Sequence, residues 1–330
     1  MSSSRSITDL SGESVTFSGS NGTNRLASYT WDYTIRIWDA DTGKPLITIH
    51  SPNDERCGTA VLCCSKDGSC LAVSNGDLIY IRNINYDGIM EDVRTINADT
   101  EESIISLCMN YDGSVVLSGH GNGHLRLWDI KSGALCCQYI LGNKAIGAVD
   151  ISFDGALIAS GGANQMIQIH STHDRSMEEI CQLHGHTRSV SSLQFNYDAS
   201  RIASCSYDKT VRIWDVASQS QVMLLEGHTD CVTSLSYSCD GTRLATGSHD
   251  KVVMIWDVET GDCLWALRGH NRMIYSVSFS HDGSRVASGG EDPMVIIWDS
   301  VSGCEVERIR HFHGVAGVCF MPVLTDFLLK

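Results

Sequence analysis

One unit of sequence occurs three times in succession, and it restricts the chain more than any other feature. The copies are GHTRSVSSLQFNYDASRIASCSYDKTVRIWD from Gly185, GHTDCVTSLSYSCDGTRLATGSHDKVVMIWD from Gly227 and GHNRMIYSVSFSHDGSRVASGGEDPMVIIWD from Gly269. His186, His228 and His270 stand 42 residues apart, as do Trp214, Trp256 and Trp298. A fixed period of this length marks a repeat architecture, in which one supersecondary unit is copied along the chain. The middle copy shows what that unit is. Val232 to Tyr237 alternates as a strand does, and Asp240-Gly241 follows as a tight turn. Arg243 to Thr246 is a second strand and Asp250 marks the next turn. Val252 to Trp256 is a β-branched third strand, and Cys263 to Leu267 follows the Thr260-Gly261 turn as a fourth.

Four short strands joined by hairpins make a small antiparallel sheet with two faces, and one sheet cannot cover both. Repetition around an axis lets each sheet bury its faces against its neighbours, with only short protected edges left. The expected fold is therefore all-β: a seven-bladed propeller of four-stranded antiparallel blades. The GH…D…WD pattern at this period resembles the tryptophan–aspartate (WD40) repeat family, most closely across Gly185 to Asp299.

The resemblance implies a buried hydrogen-bonded tetrad of His, Ser/Thr, Asp and Trp in each regular unit. The matching residues are His186, Ser204, Asp208 and Trp214; His228, Thr246, Asp250 and Trp256; and His270, Ser288, Asp292 and Trp298. The chemistry is consistent with this, because a buried carboxylate needs donors around it and a buried indole N–H needs an acceptor. A single His–Asp–Ser trio reads as a hydrolytic triad. The same trio three times at equal spacing reads as scaffold. The resemblance also places the residue before each turn Asp, and those opening the first strand, on the top surface. These are Trp31, Tyr207, His249 and Glu291, with Arg188, Asp230 and Arg272. They differ from unit to unit while the tetrad repeats, as positions used for recognition would.

A ring of seven units at this period needs roughly 294 residues, which fits the 330 present as one domain. Residues 1–13 read as a flexible arm or an added edge strand, 14–310 as the propeller, and 311–330 as a tail. The first unit starts at Ser14 with a strand at Val15 to Phe17 and includes Ser28, Asp32 and Trp38, but lacks a leading GH. Trp38 and Trp128 lie 90 residues apart, two periods of 45, so a hidden unit lies between them; Arg82-Asn83 stands where Trp-Asp would be. Its second turn, Ser74 to Asp77, is short, and Tyr86 to Asp92 forms a longer loop. In the third unit Ser118 and Trp128 match the tetrad and Asn122 replaces Asp. In the fourth, Ser160 matches while Asn164 and His170-Ser171 replace Asp and Trp-Asp. His120 and His124 lie in a Gly-rich hairpin and read as loop residues rather than metal ligands. Beyond the seventh unit, Val315 to Phe320 looks like a further first strand and Thr325 to Leu329 like a second. That tail packs on the ring, adds to an edge, or begins another repeat.

The net charge of −15 argues against a general nucleic-acid binder. Fourteen Cys without a secretory signal read as reduced, packed thiols, as at Cys63, Cys64, Cys231 and Cys319. No C-x-x-C pair occurs, which argues against a zinc site. Asn21-Gly22-Thr23 matches a glycosylation sequon but reads as a turn. No membrane-spanning run, cofactor motif or paired catalytic carboxylates are found in the sequence.

The expected function is a non-catalytic platform for protein–protein interaction, cytoplasmic or nuclear rather than secreted. Its partners would be proteins or peptides on the top face. Nucleic acid would be reached only indirectly, and no small-molecule substrate is expected. One alternative is a ribonucleoprotein subunit, since the layout of early degenerate units and a continuing tail resembles a subunit of the small-ribosomal-subunit processome. The other is an enzyme.

Overall fold

The computed structural model describes residues 6–8, 14–16, 25–50, 61–84, 90–98, 103–172 and 177–321. The described chain is all-β, with 30 strands in seven four-stranded antiparallel sheets and one two-stranded sheet. Blade 2 comprises β6 (Val61–Cys64), β7 (Cys70–Asn75), β8 (Leu78–Ile84) and β9 (Met90–Asn97). Blade 3 runs from β10 (Ile104–Met109) to β13 (Leu135–Ile140), and blade 4 from β14 (Ile146–Ile151) to β17 (Glu178–His184). Blade 5 runs from β18 (Val190–Phe195) to β21 (Ser220–Leu225), and blade 6 from β22 (Val232–Tyr237) to β25 (Cys263–Arg268). Blade 7 runs from β26 (Ile274–Phe279) to β29 (Glu305–Arg310).

Blade 1 departs from the sequence reading. Its three outer strands are β3 (Arg25–Thr30), β4 (Thr34–Asp39) and β5 (Pro45–His50), but its innermost strand is β30 (Val315–Met321) from the other end of the chain. Leu26 pairs with Phe320 and Ser28 with Val318. The ring is therefore not complete at residue 310. Nor does the first blade take its inner strand from Val15 to Phe17: β2 (Ser14–Thr16) pairs instead with β1 (Ser6–Thr8) in the separate two-stranded sheet. The physical reason is edge closure. Without β30 one flank of β3 would lie unpaired, although Leu26, Ala27 and Tyr29 on it are fully buried. The second tail strand expected at Thr325 to Leu329, the sequon Asn21-Gly22-Thr23, and much of the loop expected from Tyr86 lie outside the described residues.

The core lies between blades rather than within them. Ala203, Ile213 and Leu225 of blade 5 pack with Val232, Leu235 and Trp256 of blade 6 in one buried cluster. Ile79, Ile81 and Ile96 of blade 2 pack with Ile104, Met109 and Trp128 of blade 3 in another. Burying one such side chain is worth about 1.5–3 kcal/mol, whereas a net hydrogen bond contributes about 1 kcal/mol. Units that lack a full tetrad are thus held by their packed faces.

Around the channel, side chains of one inner strand accept from the backbone of the next. Ser234 and Ser236 Oγ accept from the amides of Val277 and Phe279, at 3.1 and 3.0 Å. Ser276 and Ser278 Oγ accept from Val318 and Phe320 in the same way. Gln194 accepts from Tyr237, and Asp150 from Phe195 at 2.7 Å. The inner strand of each sheet has a free edge, and these bonds satisfy donors there that would otherwise be orphaned.

Turn chemistry follows the sequence closely. The first hairpin turn of blades 2, 3, 4, 6 and 7 carries a glycine at positive φ, namely Gly68, Gly113, Gly155, Gly241 and Gly283. Blade 5 places Ala199 in that conformation, at φ 56°. Cys64 of β6 and Cys319 of β30 form a disulfide between neighbouring inner strands, so they are not the separate reduced thiols expected from the sequence. Cys231 lies just before β22 and is half-exposed, not packed within a strand.

Candidate functional site

In blade 5, His186 Nδ1 lies 2.8 Å from Asp208 Oδ2, and His186 Nε2 lies 2.8 Å from Ser204 Oγ. Trp214 Nε1 donates to the same Ser204 oxygen at 2.9 Å. Blade 6 repeats this with His228, Asp250, Thr246 and Trp256, and blade 7 with His270, Asp292, Ser288 and Trp298. One tautomer of the neutral imidazole satisfies each network: Nδ1–H donates to the carboxylate, the hydroxyl donates to Nε2, and the indole donates to the hydroxyl. The carboxylate also accepts from the loop amide after the His, that of Thr187, Thr229 or Asn271, each at 2.9 Å. Burial pushes the Asp208 carboxyl up, but hydrogen bonds from His186, Thr210 and Thr187 outweigh it and hold it well below the ordinary carboxylate range. Asp250 and Asp292 are lowered by the same balance. No atom of these sets is presented as a free nucleophile, because every hydroxyl is shared between an indole and an imidazole.

The other blades vary the theme. His311 precedes β30 by the same interval as His228 precedes β22, so the leading His that blade 1 seemed to lack is supplied by the far end of the chain. Its ring lies edge-on to Trp38 at 5.1 Å, and neither ring nitrogen finds a hydrogen-bond partner among the described residues. Burial therefore depresses its pKa to about 4. In blade 3 the His comes from elsewhere: His120, fully buried at the end of its own strand, bonds Ser118 Oγ at 2.9 Å, and Trp128 donates to that oxygen. In blade 4, His170 occupies the Trp position and meets Tyr139 edge-on at 4.7 Å.

The top face carries the connections into each inner strand and the turns after each second strand. It is strongly uneven. The residue before the turn Asp or Asn is Trp31, Tyr207, His249 or Glu291 in blades 1, 5, 6 and 7, but Gly76, Gly121 and Ala163 in blades 2, 3 and 4. The large side chains form a crescent. Tyr207 lies 6.3 Å from His249, His249 lies 6.0 Å from Tyr275, and Tyr275 lies 6.0 Å from Trp31, ring centre to ring centre. Trp31 is 49% exposed and Tyr207 42%. Phe312, in the connection into β30, is 89% exposed. Arg272 and Glu291 pair at 2.8 Å beside the crescent, while Arg188 and Asp230 lie exposed in the equivalent loops of blades 5 and 6.

Sequence reasoning missed Tyr275. It sits at a β-bulge, where the register of β26 against β27 slips between Ile274 and Ser276. The same bulge in blades 5 and 6 carries Ser191 and Thr233, whose hydroxyls donate to the backbone carbonyls of Val232 and Ile274 on the next blade. A bulge re-aims one side chain out of the ladder, and in blade 7 that side chain is aromatic. The readable signal was an aromatic residue where the other regular units place a hydroxyl.

Comparison with known proteins agrees with the repeat architecture. The family of the WD domain, G-beta repeat matches residues 90–129, 135–171, 177–215, 219–257 and 261–299, together more than half of the chain. The chain belongs to the WD40 repeat family. Each complete matched segment begins with the outer strand of one blade and ends with the third strand of the next, so the sequence repeat straddles two blades. The first three strands of blades 1 and 2 lie outside the match; the repeat of blade 1 is divided between residues 305–321 and 25–39. The chain is 29% identical over 189 residues to Autophagy-related protein 16 of Arabidopsis thaliana, covering 55% of this chain and 35% of that protein. It is 32% identical over 203 residues to the COMPASS component SWD3 of Saccharomyces cerevisiae, covering 58% and 61% respectively. It is 31% identical over 118 residues to GID complex subunit 7 of Schizosaccharomyces pombe, covering 34% and 23%. The chain thus spans less than two thirds of each of these relatives.

Proposed function

We propose that this propeller is a non-catalytic scaffold that holds a protein partner on one side of its top face. The observation that carries the reading is the crescent Tyr207–His249–Tyr275–Trp31, set against the bare Gly76, Gly121 and Ala163 of the opposite blades. Exposed Trp and Tyr at the centre of a rigid surface are the side chains that most often dominate interface energies. An apolar or aromatic anchor of the partner would lie on the rings, while Arg188, Asp230 and the Arg272–Glu291 pair would orient its polar groups at the rim. Relatives named as a COMPASS component and a GID complex subunit support a role as a subunit within a larger assembly. The arrangement of the tetrads favours scaffold over enzyme, since their hydroxyls are committed to internal bonds. The compartment that fits is cytoplasmic or nuclear.

The test is affinity purification with mass spectrometry on the wild type and on Trp31→Ala, Tyr207→Ala and Tyr275→Ala, with Tyr197→Ala, exposed but outside the crescent, as a control. The crescent variants are expected to lose partners with little change in melting temperature, and the control to retain them. Undiminished recovery by all three crescent variants would overturn the reading.

A further inference from the structure

At the centre of the crescent, Asp230, Cys231 and His249 come together although His249 follows Cys231 by 18 residues. A carboxylate oxygen, the thiol sulfur and an imidazole nitrogen lie within 4.8 Å of one another. We propose that these three side chains form a surface site for a divalent transition metal, zinc above all, with a fourth coordination position left open.

Three features carry this. The first is the donor set. A thiolate and an imidazole select Zn²⁺ over Mg²⁺ or Ca²⁺, which take oxygen ligands. The second is preorganisation. Asp230 and Cys231 lie in the loop entering blade 6, and His249 in the turn between β23 (Arg243–Ser248) and β24 (Val252–Asp257) of the same blade. Two hydrogen bonds tie these loops: His249 N donates to Cys231 O at 2.9 Å, and Ser248 Oγ donates to Asp230 O at 3.1 Å. A third, from Cys231 N to Asp230 Oδ1 at 2.8 Å, holds the carboxylate beside the thiol. The third feature is a ligand without another occupation. No hydrogen bond among the described residues engages the His249 ring, which is held instead by Tyr207 and Tyr275.

Ligand atoms around a tetrahedral zinc lie about 3.5 Å apart; these donors already fall within 4.8 Å of one another, and small side-chain rotations, that of the exposed Asp230 foremost, draw them in. On binding, Cys231 gives its thiol proton to solvent. The thiolate, the carboxylate and the dication then sum to zero charge, so the neighbouring Arg188 and Lys209 do not face a net cation. Three protein ligands leave room for water or for a donor atom of a bound partner. The sequence conceals this set, because it contains no C-x-x-C pair and its members come from two loops.

The experiment is a Co²⁺ titration of the full chain under reducing, oxygen-free conditions, followed by displacement with Zn²⁺. The expected result is uptake of one ion with a thiolate-to-cobalt charge-transfer band, at least tenfold weaker in Asp230→Asn and absent in Cys231→Ser and His249→Gln. Replacing the exposed Cys239, Cys263 and Cys304 together by Ser should leave the band intact. A band that survives in Cys231→Ser, or a wild type that takes up no ion, would overturn the proposal. If Cys231→Ser melts early, His249→Gln decides alone, since its ring supports no internal hydrogen bond.

Discussion

Asp250→Ala isolates what one tetrad contributes. The carboxylate accepts from His228 Nδ1 at 2.8 Å, from Thr229 N at 2.9 Å and from Val252 N at 3.0 Å. The His228 side chain is 1% exposed, so its orphaned N–H bears a full desolvation cost of about 2 kcal/mol. The two loop amides lie nearer the surface, where water replaces part of the loss, and add about 0.5–1 kcal/mol each. The sum is about 3–4 kcal/mol, a fall in melting temperature of roughly 4–6 °C for a chain of this size. Asn122→Ala at the matching position of blade 3 removes one accepted bond, from His124 N at 3.2 Å, and should cost less than about 1 kcal/mol. Asp250→Asn, which retains an acceptor oxygen, should fall between the two. The assay is thermal and urea unfolding of the three variants followed by Trp fluorescence. Equal shifts for Asp250→Ala and Asn122→Ala, or the reverse order, would mean that the tetrad is not a structural bond network.

His311 makes stability pH-dependent. Its pKa in the fold is about 4, against about 6.5 in the unfolded chain. Between those values the unfolded chain binds a proton that the fold rejects, so stability falls as pH drops from about 6.5 to about 4, by up to roughly 3 kcal/mol. His311→Leu should flatten urea midpoints across that window, and an unchanged slope would assign the dependence elsewhere. The tetrad carboxylates act lower: their depressed pKa values mean stability present above about pH 3.9 and lost as pH falls through the folded values. Ala199→Gly relieves a non-glycine residue at φ 56° and should raise stability by roughly 0.5–1 kcal/mol. A drop in its urea midpoint would show that the half-buried methyl outweighs the backbone strain.

Much of the architecture could be read from spacing alone. Equal intervals between His, Asp and Trp located three blades, and double intervals located two more that lack the signature dipeptide. The interval rule works because each blade contains the same four strands and turns. It fails where a blade is not contiguous. Nothing near Thr30 indicates that its partner in the sheet is Val315, so the closing strand and His311 were both assigned to a tail. It also fails for substitutions in space: His120 reaches Ser118 from two residues away instead of from the preceding loop. At the top face, sequence singled out Trp31, Tyr207 and His249 but not Tyr275, because a bulge changes where a strand residue points without changing the repeat. Pairings such as Cys64 with Cys319 depend on ring order and were invisible for the same reason.

The sharing of one sheet by residues 25–50 and 315–321 has a temporal consequence. A ribosome delivers β3 to β5 before the strands of six other blades and β30 after them, so the hydrophobic flank of β3 stays unpartnered while those blades are made. Blades 2 to 7 can assemble as they emerge, like arcs of a growing solenoid. Final closure waits for β30, and until then the nascent protein offers chaperones an open strand at Leu26 and Ala27.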